Sequence, residues 1–158
     1  MIRVRPFTAS DRDFIFSLAP RLAIGIRPWR DQALWLTAVE GWLTESLARQ
    51  ADKGAVFIAE EESGERLGFA TVSASEHFTS QPQAYIGELA TCDAAEGRGV
   101  GRALVAACEE WGRAKGFALI TLTTGAGNDR ALGFYRRLGY VDEDVTLTRR
   151  LSIRVEQV

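Results

Sequence analysis

Apolar and polar positions alternate at the start of the chain, where Ile2 and Val4 interleave with Arg3 and Arg5 ahead of Pro6. A period of two predicts a short strand, and the proline marks its end. In TASDRDFIFSLAPRL the period lengthens. Phe14, Leu18 and Leu22 recur at helical spacing behind Thr and Ser cap candidates, and Pro20 is expected to end or bend that helix. AIGIRP reads as a loop. WRDQALWLTAVEGWLTESLARQ predicts a second helix with Leu34, Trp35, Ala38, Val39, Trp42, Leu43 and Leu47 on its apolar face.

GAVFIAEEESGERLGFATVSAS reads as a hairpin, two β-rich runs around a charged turn. AYIGELATC is a further strand. GRALVAACEEWGRAKG is a helix with Leu104, Val105, Cys108 and Trp111 at core spacing and Gly116 as its stop. FALITLTTG is a strand, and NDRALGFYRRLG is a short helix capped by Asn128 and stopped at Gly139. YVDEDVTLTRRLSIRV reads as strand-rich to the end. A helical crossover makes the strands on either side of the third helix parallel neighbours, while the hairpin is antiparallel. The expected fold is α/β, with a mixed, mainly antiparallel central sheet, a parallel pair around that helix, and helices on both faces.

Composition narrows the function. The chain has 158 residues, 46% hydrophobic and 25% charged, which fits one domain spanning residues 1–158. A net charge of −2 offers no broad basic field for nucleic acid. The cysteines, Cys92 and Cys108, make no disulfide scaffold, and no apolar run approaches the length of a membrane helix. With no signal-peptide pattern at the N-terminus, the expected setting is cytoplasmic. No His/Cys cluster has metal-ligand spacing, so no metal is expected.

The candidate chemistry lies in GELATCDAAEGRGVGRALVAACEEWGRAKG, where Gly97, Gly99 and Gly101 fall at every second position ahead of a helix. Glycines let the backbone turn or approach a ligand, and the free N–H groups of a helix start favour an anion. The P-loop pattern fails because no Lys-Ser or Lys-Thr follows the glycines. The dinucleotide fingerprint fails because its last position falls on Arg102 or Leu104.

The spacing instead resembles the GNAT superfamily of acetyl-CoA-dependent N-acetyltransferases. That family's Gln/Arg-x-x-Gly-x-Gly/Ala loop falls on Glu96, Gly97, Arg98, Gly99, Val100 and Gly101. A second signature, Asn-x-x-Ala-x-x-x-Tyr followed by Leu-Gly-Phe/Tyr, falls on NDRALGFYRRLGY, with Asn128, Ala131, Tyr135 and Gly139 in place. Glu96 departs from the pattern. A carboxylate beside a pyrophosphate repels it, so Glu96 is expected to turn to solvent, with Arg98 and Arg102 supplying the positive charge.

The resemblance implies that the backbone N–H groups of Arg98, Gly99, Val100, Gly101 and Arg102 hold the pyrophosphate of acetyl-CoA. It also implies that the pantetheine arm lies along Leu89 and Thr91 like an added strand, with Asn128 reaching it and a backbone N–H near Leu89 or Ala90 facing the oxyanion. An acceptor amine of pKa ~10.4 arrives protonated, so a base is needed. Glu88, at the place where relatives carry a catalytic glutamate, is the candidate; the alternatives are a residue that orients substrate or water, or a solvent-facing carboxylate.

Tyr135 matches the tyrosine that protonates the leaving thiolate; the alternative is a packed core tyrosine. Arg27 and Trp29, between the first helices, are candidates for the acceptor pocket, with packing as the alternative. Cys92 lacks a paired histidine and reads as a loop residue, and His77 as a surface turn. The acceptor is a small-molecule or protein amine, and a homodimer is possible. The competing readings are an acyl-CoA-sensing module without turnover and a transferase with another acyl donor.

Overall fold

The computed structural model describes residues 1–51 and 53–151. Strand β1 (Ile2–Pro6) sends Ile2 and Val4 into one core and Arg3 and Arg5 to the opposite face, where both reach Glu60. A 3-10 turn (Ala9–Asp11) follows, in which the Asp11 carboxylate accepts from the Thr8 N–H at 2.8 Å and from the Thr8 hydroxyl at 3.0 Å. Helix α1 (Arg12–Ser17) stops short of Pro20, which lies in a second 3-10 stretch (Ala19–Ala23), as the sequence predicts. Helix α2 (Gln32–Arg49) is capped by Asp31, whose carboxylate accepts from the Leu34 N–H at 2.9 Å.

Next come β2 (Gly54–Glu61), β3 (Arg66–Glu76), β4 (Pro82–Thr91), α3 (Val100–Ala114), β5 (Ile120–Leu122) and α4 (Asp129–Arg137). The sheet runs β1-β2-β3-β4-β5, antiparallel except for the β4–β5 pair that flanks the α3 crossover. Alternation divides each strand between two cores. Val56, Ile58 and Phe69 meet Ile15, Val39 and Leu43 of α1 and α2. Ala70, Val72, Ala84 and Ile86 meet Leu104, Val105 and Cys108 of α3, and Phe134, Tyr135 and Leu138 extend that second core. The mixed sheet with helices on both faces is therefore as expected.

Two expectations fail. The apolar face of α2 is narrower than its sequence suggests. Val39, Leu43 and Leu47 are buried at four-residue spacing, whereas Ala38 is exposed, Leu34 is 71% exposed and Trp42 is 49% exposed. A helix laid on a sheet buries one stripe, and these three residues lie beside it. The C-terminal run is not strand-rich among the described residues. Residues 140–151 pair with no strand, and Val141, Val145, Leu147 and Leu151 are exposed; residues 152–158 of that run lie outside the described residues. A period-two pattern specifies a face but not a partner edge. Here Asp142 is bound instead to Arg136 of α4, at 2.6 and 3.0 Å. No helix among the described residues is long and apolar enough to cross a membrane.

Candidate active site

The site begins with an irregularity in β4. Ala70 pairs with Leu89 and Val72 with Ile86, so Gly87 and Glu88 together stand opposite Thr71 alone. The extra residue reverses the alternation. Ala84 and Ile86 face the α3 core, and strict alternation would send Glu88 there as well; the bulge puts Leu89 on that side and turns Ala90 and Glu88 toward α1 and α2.

Glu88 is buried. Its Oε2 accepts from the Ser46 hydroxyl of α2 at 2.9 Å and from the Thr71 hydroxyl. The Glu88 N–H in turn donates to Thr71 Oγ1 at 3.0 Å, which fixes the direction in which that hydroxyl gives its proton. Oε1 accepts no hydrogen bond from another described residue. The solvent-facing alternative for Glu88 is thereby overturned.

The same stretch of β4 has an open edge. Pairing with β5 covers Ala84, Tyr85 and Ile86 only, so from Gly87 to Thr91 no described strand lies on that side, while Leu89, Ala90 and Thr91 stay paired with β3 on the other. A ligand with amide groups can add to such an edge as a strand would. Leu89, Ala90 and Thr91 form it.

Beyond Thr91 a 3-10 turn (Asp93–Ala95) leads to the glycine loop. Gly97 and Gly99 have φ of 74° and 85°, the left-handed region where a side chain is strained. α3 opens at Val100, and its first backbone bond runs from the Ala103 N–H to the Gly99 carbonyl at 3.1 Å. The N–H groups of Gly99, Val100, Gly101 and Arg102 therefore have no backbone acceptor among the described residues. Arg98 departs from the expected donor set, because its N–H donates to the Ala95 carbonyl at 3.3 Å and its guanidinium pairs with Glu61 of β2. Gly101 serves packing: a Cβ there would stand 3.2 Å from Phe134 Cζ of α4.

Glu96 does not turn to solvent. Its two oxygens accept from Arg21, in the 3-10 stretch after α1, and from Arg130, in the first turn of α4. Those guanidiniums, Arg130 first, hold its carboxyl below the usual carboxylate range. Arg21 also pairs with Asp93. Arg102 has no ion-pair partner among the described residues. Sequence reasoning missed Arg21 and Arg130. The position of Arg130, two residues after Asn128 in the second signature, was the one available signal.

Asn128 caps α4, its side-chain oxygen accepting from the Ala131 N–H at 3.1 Å. The loop after α1 presses on this cap: a Cβ on Gly25 would lie 2.7 Å from the Asn128 nitrogen. That loop carries the expected Arg27 and Trp29, with the Arg27 guanidinium 5.9 Å from the Trp29 ring centre. Beside them a groove of about 360 Å³ is lined by Arg27, Pro28, Arg30 and Gln32 together with Ala23, Gly25 and Ile26. Tyr135 is half-buried, edge-on to Phe134 at 5.0 Å and to Tyr140 at 5.6 Å. Burial, with Cys108 nearby, pushes its phenol well above the usual tyrosine range, so it keeps its proton.

Burial raises the Cys92 thiol, which contacts the Arg66 carbonyl at 3.7 Å. Cys108 is fully buried and pushed up to about 12. His77 sits in the β3–β4 turn with Thr79, at the end of β4 away from the glycine loop.

The family model described as the acetyltransferase (GNAT) family matches residues 17–140. No curated protein matches the sequence. Among solved structures, a putative acetyl transferase from Pyrococcus furiosus superposes with a TM-score of 0.76 at 22% identity, covering 96% of this chain and 100% of that one. A transcriptional regulator from Bacillus halodurans C-125 gives 0.72 at 22% identity, covering 96% and 100%. The aminoglycoside N-acetyltransferase AAC(6')-Iy in complex with CoA gives 0.68 at 22% identity, covering 96% and 95%. At these identities the likeness is one of fold.

Proposed function

The chain belongs to the acetyltransferase (GNAT) family, and from that premise we propose that it transfers the acetyl group of acetyl-CoA to a primary amine, with both substrates bound together. The observation that carries this reading is the open edge of β4 from Gly87 to Thr91, flanked by the bulge that turns Glu88 inward and by unpaired N–H groups at the start of α3. Acetyl-CoA supplies an activated thioester carbonyl. The N–H groups of Gly99, Val100, Gly101 and Arg102 hold its pyrophosphate. The β4 edge at Leu89, Ala90 and Thr91 takes the amide-bearing arm, with the Asn128 amide reaching it, and a backbone N–H near Leu89 or Ala90 faces the carbonyl oxygen.

Glu88 takes one proton from the acceptor's ammonium, directly or through one water, leaving a neutral amine to attack, while Ser46 and Thr71 keep its carboxylate in place. The neutral amine forms the C–N bond, the C–S bond breaks, the Tyr135 hydroxyl gives its proton to the departing sulfur, and the second proton of the acylated nitrogen returns, through water, to the Tyr135 oxygen. Burial keeps that phenol protonated until a thiolate develops, and because the same burial makes it a weaker acid, donation depends on the returning amine proton. The groove beside Arg27 and Trp29 takes the rest of the acceptor. Its lining includes two guanidiniums and no carboxylate, which favours a small amine carrying an anionic group over a polycation.

The test is thiol release from acetyl-CoA across amino acids, dipeptides, polyamines and aminoglycosides, with product masses. Acetylated product from a carboxylate-bearing amine is expected. Faster turnover of the polycations would overturn the acceptor assignment, and CoA binding without turnover of any amine would favour a sensing module. With a confirmed acceptor, Tyr135→Phe is expected to lower kcat by about 10²–10⁴-fold with little change in KM for acetyl-CoA. A kcat within about twofold of wild type, with chemistry rate-limiting, would leave Tyr135 as packing.

A further inference from the structure

A carboxylate stands immediately before the glycine loop, where the family pattern has Gln or Arg. Simple electrostatics says that it weakens the binding of a diphosphate, and the arrangement around it argues the opposite. Glu96 joins three elements: the loop itself, the 3-10 stretch that carries Arg21, and the first turn of α4 that carries Arg130. Two guanidiniums gathered at one point repel each other, and a carboxylate between them removes that cost. Glu96 spends one oxygen on each.

Arg21 is tied down at both ends, by Glu96 and Asp93, and is 23% exposed. Arg130 is held by a single nitrogen, and its side chain is 66% exposed. A guanidinium has five N–H donors, so Glu96 leaves most of those on Arg130 available, next to a helix start where the N–H groups of Gly99 to Arg102 have no backbone acceptor among the described residues. Position and spare donors coincide on one residue.

We propose that Glu96 is a positioning residue that holds Arg130 at the mouth of the glycine loop, so that the Arg130 guanidinium binds a phosphate oxygen of CoA. Arg21 and Asp93 anchor Glu96 from the other side. The inference rests on the assignment of the loop to CoA made above. In this arrangement the charge expected at the family's Gln/Arg position is delivered from α4, through a carboxylate that by itself has the wrong sign.

The direction of one effect decides between the two accounts. Calorimetric titration of CoA, and of phosphate-free pantetheine as the control ligand, is made with wild type, Glu96→Gln, Arg130→Gln and the double variant. If Glu96 positions Arg130, each single variant weakens CoA about tenfold, the double variant weakens it little further, and pantetheine is indifferent to all three. Unchanged or tighter CoA binding by Glu96→Gln would overturn the proposal and restore simple repulsion. Equal weakening of pantetheine would also overturn it, by showing a general distortion of the loop. Wild type that fails to bind CoA would remove the loop assignment itself, and the role of Glu96 with it. Wild type that binds CoA normally beside an unaffected Glu96→Gln would remove the role of Glu96 alone.

Discussion

Asp11 and Glu96 are both carboxylates clasped by two arginines, and the two clasps differ in how much of their hydrogen-bonding capacity is spent inside the protein. Asp11 is fully buried. Its Oδ1 accepts from Arg5 at 2.9 Å and Arg66 at 2.6 Å, and its Oδ2 from Arg5 at 2.8 Å and Thr8. Arg5 continues to Glu60 at 2.7 Å, and Arg66 to the Ser10 carbonyl at 3.2 Å, so β1, β2, β3 and the turn before α1 are joined in one network. Glu96 is 26% exposed, and among the described residues Arg130 spends only the donors of one nitrogen on it. The difference teaches what a carboxylate–guanidinium contact does in each setting. A closed network is committed to the fold, and an open one has donors left for a ligand.

The largest expected effect lies on the closed side. Asp11→Ala leaves the guanidiniums of Arg5 and Arg66, 24% and 34% exposed, without their shared partner. Arg5 keeps Glu60 and both guanidiniums reach water, so the cost should be that of lost charged hydrogen bonds, about 1.5–3 kcal/mol, to be read from urea unfolding at neutral pH. The cost has a pH signature. The hydrogen bond from Arg5, then those from Thr8 and Arg66, hold the Asp11 carboxyl far below the usual range. Near pH 3 the unfolded chain therefore binds more protons than the native state. This contribution is complete above the unfolded carboxyl pKa of about 3.9 and is lost as pH falls from there toward the lower folded value. Asp11→Asn should flatten the acid side of the stability profile; a variant with the wild-type slope would show that the network is not what acid dissolves.

How much of this was legible in the sequence follows the range of the interactions. The strands β2 to β4 were legible because alternation and turn chemistry are local. So were the glycine loop and the Asn128 cap, which depend on spacings of a few residues. The orientation of Glu88 was not, because it hangs on a bulge held by Thr71, 17 residues away. Pattern alone puts Ala84, Ile86 and Glu88 on one face. Glu96 was misread for the same reason: its partners lie 75 and 34 residues distant, and a lone carboxylate in a loop looks solvated until they arrive. Trp42 fails differently, since helical spacing says which residues share a side and not how wide the covering sheet is.

On the open side the stability effect should be far smaller. Partly exposed ion pairs contribute little to folding, so Glu96→Gln should shift Tm by less than about 4 °C in differential scanning calorimetry. The same substitution that weakens CoA should thus leave the protein folded. A Tm loss as large as that of Asp11→Ala would break the comparison, because Glu96 would then belong to the fold as Asp11 does.

The smallest effect is expected at Arg98, which sharpens what counts as an open clasp. Its side chain is 44% exposed and already paired with Glu61, and its N–H is committed to Ala95. Arg98→Gln should therefore remove no contact to the cofactor. What it does leave is the Glu61 carboxylate without its counter-charge near the loop. The consequence is long-range repulsion, screened over about 8 Å at 0.15 M salt. CoA affinity should fall by less than about threefold at that ionic strength, more at low salt and hardly at all at high salt. Adding Glu61→Gln to Arg98→Gln should return affinity to the wild-type value, since no unbalanced charge remains. The same double substitution would fail to restore binding if Arg98 itself held a phosphate. Titration of CoA with the single and double variants at two salt concentrations separates a charge that is merely nearby from one that is positioned to bind.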